Sequence, residues 1–159
     1  KLEPEPISAD VAGFYIRQGE IVAPSEDGSP LYHLVASHMA HGLGTDSIEL
    51  TEIHLEYNHE SPDPWSMDAD QGRVQTDWNL IHLSGGVRMI MRTEENEPAT
   101  LVTESMIVET DSHTARTDQR VTLELGEERL IGTGMTADLM AGRVQLESSV
   151  NGVFESRLR

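Results

Sequence analysis

Apolar and polar residues alternate along much of this chain with a period of two. In the segment 52–57, the apolar residues Ile53, Leu55 and Tyr57 are separated by polar ones. Because successive side chains of a strand point to opposite faces, this pattern predicts strands with one buried face. No segment of helical length has a clean helical apolar stripe, so we expect an all-β chain. The alternation recurs in four further segments: 65–70, 87–92, 121–125 and 144–147.

Turn-forming residues separate the alternating segments. Gly, Pro, Asn and Asp are concentrated in 26–30, 59–64 and 94–98, and the pairs Gly85-Gly86 and Asn151-Gly152 give the same signal. Spacings of about ten residues between turns are typical of a meander of hairpins. The sequence therefore predicts an antiparallel sheet whose neighbouring strands are consecutive in the chain.

A weak internal repeat supports this organisation. Small residues occur in similar frames at Ala36, Ala69, Ser105 and Ala137, at intervals of roughly 33 residues, which is typical of one supersecondary unit stacked on copies of itself. Such a unit cannot bury its apolar face alone, whereas a stack gives a continuous core or groove with an edge at each end. We therefore predict stacked hairpin repeats.

Composition narrows the class of protein. The 159 residues fit one domain, and 28 acidic against 11 basic residues give a net charge of −17, which disfavours a nucleic-acid partner. The chain has no cysteine, which excludes disulfides and thiolate metal sites. Residues 1–10 are polar and broken by proline, so we expect a disordered tether there and a single domain over 11–159.

Histidines give no convincing metal site. His38 and His41, with His33 nearby, have a spacing that could hold a metal ion, but in a strand His38 and His41 point to opposite faces. We therefore interpret them as a solvated pair at a strand end and expect no metal.

Paired carboxylates give no convincing catalytic site either. Asp68 and Asp70 are predicted on the outward face of a strand, and Glu94 and Glu95 in a turn. With 28 acidic residues such pairs arise by chance, and the chain contains neither a Gly-x-Ser-x-Gly elbow nor a phosphate loop. We expect a protein that is not an enzyme, with no catalytic residue and no cofactor.

Five segments in order resemble the LptC family of lipopolysaccharide-export proteins, and more broadly the OstA-like family that includes LptA. They lie within roughly residues 14–155, and they depart from the family at 83–87, where Asn often precedes the Val. The resemblance implies an open, twisted antiparallel β-jelly roll with a hydrophobic groove. The segments are 14–22, 27–36, 64–74, 83–87 and 132–138.

The resemblance also implies a function. The family receives lipopolysaccharide that an ATP-driven transporter extracts from the inner membrane, and passes it to a periplasmic bridge. It implies that the N-terminal edge docks onto a transporter jelly roll of the LptF or LptG type and the C-terminal edge onto an LptA-type bridge protein. We accordingly expect a location at the periplasmic face of the inner membrane of a Gram-negative bacterium. The family's membrane helix is missing from this chain, which begins at Lys1 and is expected to be a fragment or a processed form.

Two residue sets follow from the alternation and the resemblance together. The predicted groove set comprises Leu34, Leu50, Leu55, Tyr57, Trp65, Met67, Leu83, Val87, Met89, Met91, Leu123 and Leu146. The predicted docking set comprises Phe14, Ile16, Ile21, Gly134, Val144, Leu146, Val150 and Val153.

Four alternatives stay open. Ordinary core packing is the simplest explanation for any single groove residue. The chain could instead be a soluble LptA-type bridge protein, or a structural β-scaffold that binds only proteins through its edge strands. In the family, a glycine at the position of Gly134 matters for joining the transporter complex, although Gly134 could equally serve only to form a bulge.

Overall fold

The computed structural model is an all-β fold. It describes residues 14–24, 28, 30–42, 44, 46–57, 65–75, 79–92, 97–147 and 151–153. The regular secondary-structure elements in that part of the chain are all strands. None of the described residues form a helix that is long and apolar enough to cross a membrane. The ten strands are β1 (Phe14–Pro24), β2 (Pro30–His41), β3 (Ser47–Tyr57), β4 (Trp65–Gln75), β5 (Leu80–Arg92), β6 (Pro98–Glu109), β7 (Thr114–Leu125), β8 (Glu128–Asp138), β9 (Arg143–Leu146) and β10 (Asn151–Val153).

The strands form one open antiparallel sheet in which β1 to β8 follow chain order. β1 pairs only with β2 and is one edge of the described sheet. At the opposite edge, β9 pairs with β8 over Met135–Asp138 and β10 pairs with β8 over Arg129–Ile131. This architecture confirms the prediction of an open antiparallel all-β fold built from consecutive hairpins.

A line of irregular pairing crosses the sheet through the middle of strands β1 to β8, and we call it the fold line. Residues there drop out of the cross-strand register, and five of them have positive φ angles: Gln18, Glu52, Gly85, Gly86 and Gly134. Bulges of this kind bend a strand and increase its twist. The residues that pair with neither neighbouring strand are Gln18, Ser37, Glu52, Asp70, Gly85, Gly86, Glu104, Asp118, Gln119 and Gly134.

Side-chain hydroxyls satisfy backbone groups that the fold line would otherwise leave unpaired. Thr103 Oγ1, on β6, donates to the carbonyl oxygen of Arg120 on β7 at 2.8 Å. Ser37 Oγ, on β2, donates to the carbonyl oxygen of Thr51 on β3 at 3.1 Å. The Thr103 bond is part-buried and the Ser37 bond is exposed, so the Thr103 hydroxyl contributes more to stabilising the bend.

The fold line divides the sheet into two half-sheets that close onto each other. The first half-sheet ends in the connections β2–β3, β4–β5, β6–β7 and β8–β9. The second half-sheet ends in the connections β1–β2, β3–β4, β5–β6 and β7–β8. Tyr57 lies at the far end of the second half-sheet. Its hydroxyl oxygen is 2.9 Å from Nδ1 of His113 in the β6–β7 turn. Trp65 Nε1 donates to the carbonyl oxygen of Leu139 at 2.8 Å. In a flat sheet those ends would lie about 35 Å apart, at about 3.3 Å per residue, so the sheet is rolled.

The core fills the interior of this roll. Apolar side chains of both half-sheets point to the same face of the sheet and pack as one cluster, so the predicted alternation is confirmed in β3 and β4, where Ile53, Leu55, Met67 and Ala69 are all buried. The polar residues between them face outward. The roll therefore has one apolar inner surface and an acidic outer one.

Two sequence expectations need correction. Gly85 and Gly86 do not form a turn between strands, because β5 runs through them and their positive φ angles form a bulge at the fold line. Of the small residues that marked the repeat, only Ala36 and Ala69 occupy equivalent positions, both opposite Ile53 on either side of β3. Ser105 lies beside the fold line, whereas Ala137 lies near the end of β8.

Candidate functional site

The predicted groove residues all lie on the inner face of the roll. Nine of the twelve are no more than 2% exposed, and Met91, Leu123 and Leu146 are half-buried against the same cluster. The structure therefore brings the whole set together, in an interior that is closed and packed. Whether acyl chains also occupy this interior stays a prediction.

Cross-strand register arranges the set in continuous rows. In the second half-sheet one row runs across every strand from β1 to β8: Ile21, Leu34, Leu55, Met67, Met89, Leu101, Leu123 and Leu130. In the first half-sheet a matching row passes through Met39, Leu50, Gly72, Leu83 and Met106. The first of these rows crosses the eight strands β1 to β8, and the second spans β2 to β6. Apolar side chains therefore run along the roll, and a few polar residues, among them Thr103 and Glu128, are buried as well.

Several inner residues were missing from the predicted set. Leu101, Met106, Val108 and Met135 are no more than 2% exposed and pack in the same cluster. The alternation of apolar and polar residues in β6 and β8 does indicate these positions. The fold line, however, shifts the alternation by one residue in the middle of each strand. A strict period of two therefore misses the residues next to the bend.

Three aromatic residues form a ladder at one end of the roll. Tyr32, Tyr57 and Trp65 are aligned in register on β2, β3 and β4, and the two tyrosine rings stack with centroids 6.2 Å apart. Burial raises the pKa of Tyr32 to about 12. The pKa of Tyr57 is also raised, by burial first and then by Tyr32 and Asp111. Both phenols therefore stay protonated at neutral pH.

The N-terminal half of the predicted docking set lies on β1. Phe14 and Ile21 are half-buried against the core, and Ile16 is 38% exposed. Two further apolar side chains of the same strand, Tyr15 and Val22, are more than half exposed. An edge strand that exposes apolar side chains can add a strand from another protein.

The C-terminal half of the docking set lies at the opposite edge. Val144 and Leu146 are half-buried on β9, and Val153 belongs to β10. Val150 lies outside the described residues. The two short strands cover different ends of β8, and Gly134 lies between the covered stretches.

Gly134 is the fold-line residue of β8, and its geometry requires glycine. Its φ is +88°, and its carbonyl oxygen accepts a hydrogen bond from the backbone N–H of Glu147 at 3.0 Å. A Cβ at this position would lie 3.2 Å from Cβ of Glu147. A side chain here would strain the backbone and crowd the C-terminal edge.

The polar residues considered for chemistry lie on the outer face, except His41, which pairs with the half-buried Phe14 on the inner side of β2. His38 stacks on Tyr15 and His41 stacks on Phe14, so these two histidines contact different β1 residues. His33 Nε2 is within hydrogen-bond distance of the Glu20 carboxylate. Within the described ranges, no cluster of three His, Asp or Glu residues could hold a metal ion.

Of the carboxylate pairs, Asp68 and Asp70 are exposed as predicted, and Glu94 and Glu95 lie outside the described residues. Asp68 Oδ1 is 2.7 Å from Nδ1 of His54, whose Nε2 is 3.3 Å from Glu56. Burial lowers the pKa of His54, but the hydrogen bonds with the two carboxylates outweigh it and leave the pKa raised.

Comparison with known proteins agrees with this geometry. Residues 2–155 match the family model described as lipopolysaccharide-assembly, LptC-related. The fold is similar to a crystal structure of LptH from Pseudomonas aeruginosa, described as the LptA-homologous periplasmic component of the conserved lipopolysaccharide transport device. The TM-score is 0.60 at 4% identity, covering 78% of this chain and 94% of that one. No curated protein has a sequence that matches the chain significantly.

Proposed function

The chain belongs to the LptC-related family of lipopolysaccharide-assembly proteins, and from this premise we propose that it carries lipopolysaccharide by holding the acyl chains inside the roll. Membership of this family gives it a non-enzymatic role in lipopolysaccharide transport in the periplasm of a Gram-negative bacterium. The proposal adds where the lipid binds and how it is passed on.

The continuous apolar row across strands β1 to β8 is the observation that carries the proposal. Acyl chains gain about 25 cal/mol for each Å² of apolar surface removed from water, so they need a long apolar contact. The inner rows provide one, and Met67, Met89 and Met106 lie within it. Methionine is unbranched and adapts its shape, which suits chains that pack in several ways.

The two sheet edges supply the proposed route. We place the transporter's periplasmic jelly roll at β1 and the LptA-type bridge protein at β8 to β10, so that rolls of similar shape join edge to edge. Strand addition at an edge is held mainly by backbone hydrogen bonds, and exposed apolar side chains such as Tyr15 and Val22 add contact area. Aligned rolls would then share one apolar inner surface. We also place the protein at the inner membrane, next to the transporter that supplies the lipid.

A protein-binding scaffold is the competing function, and one observation favours it. The groove residues are packed and closed in the structure, so lipid can enter only if the half-sheets separate. A scaffold would use the same edges without ever opening.

Ligand-dependent stability distinguishes the two functions. A ligand that binds only the folded protein raises its stability by about 2.7 kcal/mol at a hundred times Kd, which is roughly 5–10 °C in Tm for a chain of this size. We expect purified lipopolysaccharide to raise the Tm, and the same glycan with its acyl chains removed to leave it unchanged. Equal shifts from both, or none from either, would contradict binding through acyl chains.

A further inference from the structure

One buried hydroxyl in the aromatic ladder has no hydrogen-bond partner. Each member of the ladder carries a polar group: Tyr57 bonds to His113 and Trp65 bonds to the carbonyl of Leu139. The Tyr32 hydroxyl is buried without a partner, and the residue is 0% exposed. Tyrosine hydroxyls that are buried usually find a partner, and leaving one unpaired is costly.

Tyr32 also lines a cavity. The cavity has a volume of about 450 Å³ and lies where the β1–β2 end of the second half-sheet meets the β6–β7 turn of the first. Its apolar wall includes Ile21, Ala23 and Leu31, and its polar wall includes Asn79, Thr110 and Asp111. This volume is within the range of small-molecule sites, about 300–1,000 Å³.

The ladder places Tyr32 beside the polar wall of the cavity. The rings of Tyr32 and Tyr57 are nearly parallel, with 14° between their planes, and they lie opposite each other on adjacent strands. The Tyr57 hydroxyl reaches His113 in the β6–β7 turn. Two residues of this turn, Thr110 and Asp111, line the cavity together with Tyr32.

From this geometry we infer that the cavity binds the carbonyl end of an acyl chain, with the Tyr32 hydroxyl donating a hydrogen bond to an ester or amide oxygen. The alkyl part lies against Ile21, Ala23 and Leu31, where it continues the apolar inner surface. This inference rests on the proposed function and adds a residue that recognises the linkage between acyl chain and sugar.

The position of the cavity fits a lipid that arrives at the β1 edge. β1 contributes residues Ile21 to Pro24 to the wall and pairs on one side only. Because the hydroxyl is closed off from water, a ligand reaches it when the β1–β2 end separates from the β6–β7 turn. A hydrogen bond made in such a dry site is stronger than one made in water.

A pair of soluble probes tests the inference: a sugar monolaurate, which has an ester carbonyl, and the dodecyl ether of the same sugar, which has none. Both are titrated calorimetrically into the purified chain below their micelle concentrations. We expect the wild type to bind the ester more tightly, by about 3- to 10-fold for one neutral hydrogen bond. Tyr32→Phe should remove this preference, and its Tm should be unchanged or higher because a buried unpaired hydroxyl is gone.

Tyr57→Phe is the matched control. Its hydroxyl already has a partner in His113, so we expect a lower Tm and an unchanged preference for the ester. If the wild type binds both probes equally, the inference is wrong. If Tyr32→Phe lowers the Tm and keeps the preference, a trapped water is the partner of the hydroxyl and the inference is again wrong.

Lipopolysaccharide itself separates this inference from the proposed function. If it raises the Tm of wild type and of Tyr32→Phe by the same amount, the carrier function stands and the role of Tyr32 is overturned. If it raises the Tm of neither, the carrier function fails as well.

Discussion

Gly134 is a single residue on which the C-terminal edge depends. Two features disfavour any side chain at this position. The φ angle is +88°, and an added Cβ would lie 3.2 Å from Cβ of Glu147. We expect Gly134→Ala to lower the free energy of unfolding by about 1–3 kcal/mol, measured by urea denaturation. Gly142→Ala is the control, since its φ is +71° but a Cβ there meets nothing within 4 Å. Equal losses in the two variants would show that the contact with Glu147 is unimportant.

His54 gives the outer face a pH dependence. Its pKa is raised above the usual value by hydrogen bonds with Asp68 and Glu56, which outweigh burial; Arg88, opposite Asp68 on β5, is the nearby cation. A raised pKa in the folded state stabilises the protein below the unfolded pKa of about 6.5, and this stabilisation is lost as the pH rises through the folded value.

We therefore expect the Tm of the wild type to be higher than that of His54→Gln at about pH 5.5. The difference in Tm should be smaller at about pH 8.5. Thermal melts of the two proteins across that range measure it. A difference that grows with pH would show that the His54 contacts do not favour the charged imidazole.

At the scale of strands, the fold line depends on side-chain hydroxyls. Thr103 is 4% exposed, and its hydroxyl satisfies the carbonyl of Arg120. Thr103→Val keeps the shape and leaves that carbonyl unpaired, so we expect a loss of about 1–3 kcal/mol. Thr122→Val, opposite exposed Val102 on the outer face, should change stability by no more than about 0.5 kcal/mol. Similar losses in both variants would contradict a special role for the fold line.

Edge docking predicts which side chains touch partners. Ile16 on β1 and Val102 on β6 are equally exposed, at 38% and 39%, but only Ile16 lies at an edge of the described sheet. With a photo-crosslinking residue at each position, we expect Ile16 to capture the transporter's jelly roll and Val102 to capture nothing. Capture at Val102 alone would place docking on the sheet face.

The sequence predicted the strands and the inner face more completely than it predicted the closure of the roll. Alternation is local, and it identified Leu55, Met67 and Met89 because burial on one face of a strand depends on near neighbours. The fold line was missed, because the positive φ angles of Gln18 and Glu52 leave no signal in residue type. The contact between Tyr57 and His113 joins residues 56 apart in the chain, and no local pattern encodes such a distance.

For the whole molecule, transport of lipopolysaccharide inside the roll requires one rolled sheet that opens to admit acyl chains. Its edges, its apolar inner rows and the aromatic ladder then act in sequence: docking at β1, recognition at Tyr32, and transfer along the rows towards β8. The interior is packed, so a probe must be close in shape to the residue that it replaces. The chain has no cysteine to label, but it has methionines inside the core, and these are suitable positions for such a probe.

Replacement of all seven methionines by photo-methionine, which is nearly isosteric, tests the central claim most directly. Six methionines lie on inner rows or against the core, whereas Met140 is 52% exposed and serves as the internal control. After irradiation with lipopolysaccharide and peptide mapping, we expect lipid adducts at Met67, Met89 and Met106 and none at Met140. Adducts at Met140 alone, or at no methionine, would contradict a lipid-binding interior and leave a scaffold that works through its edges.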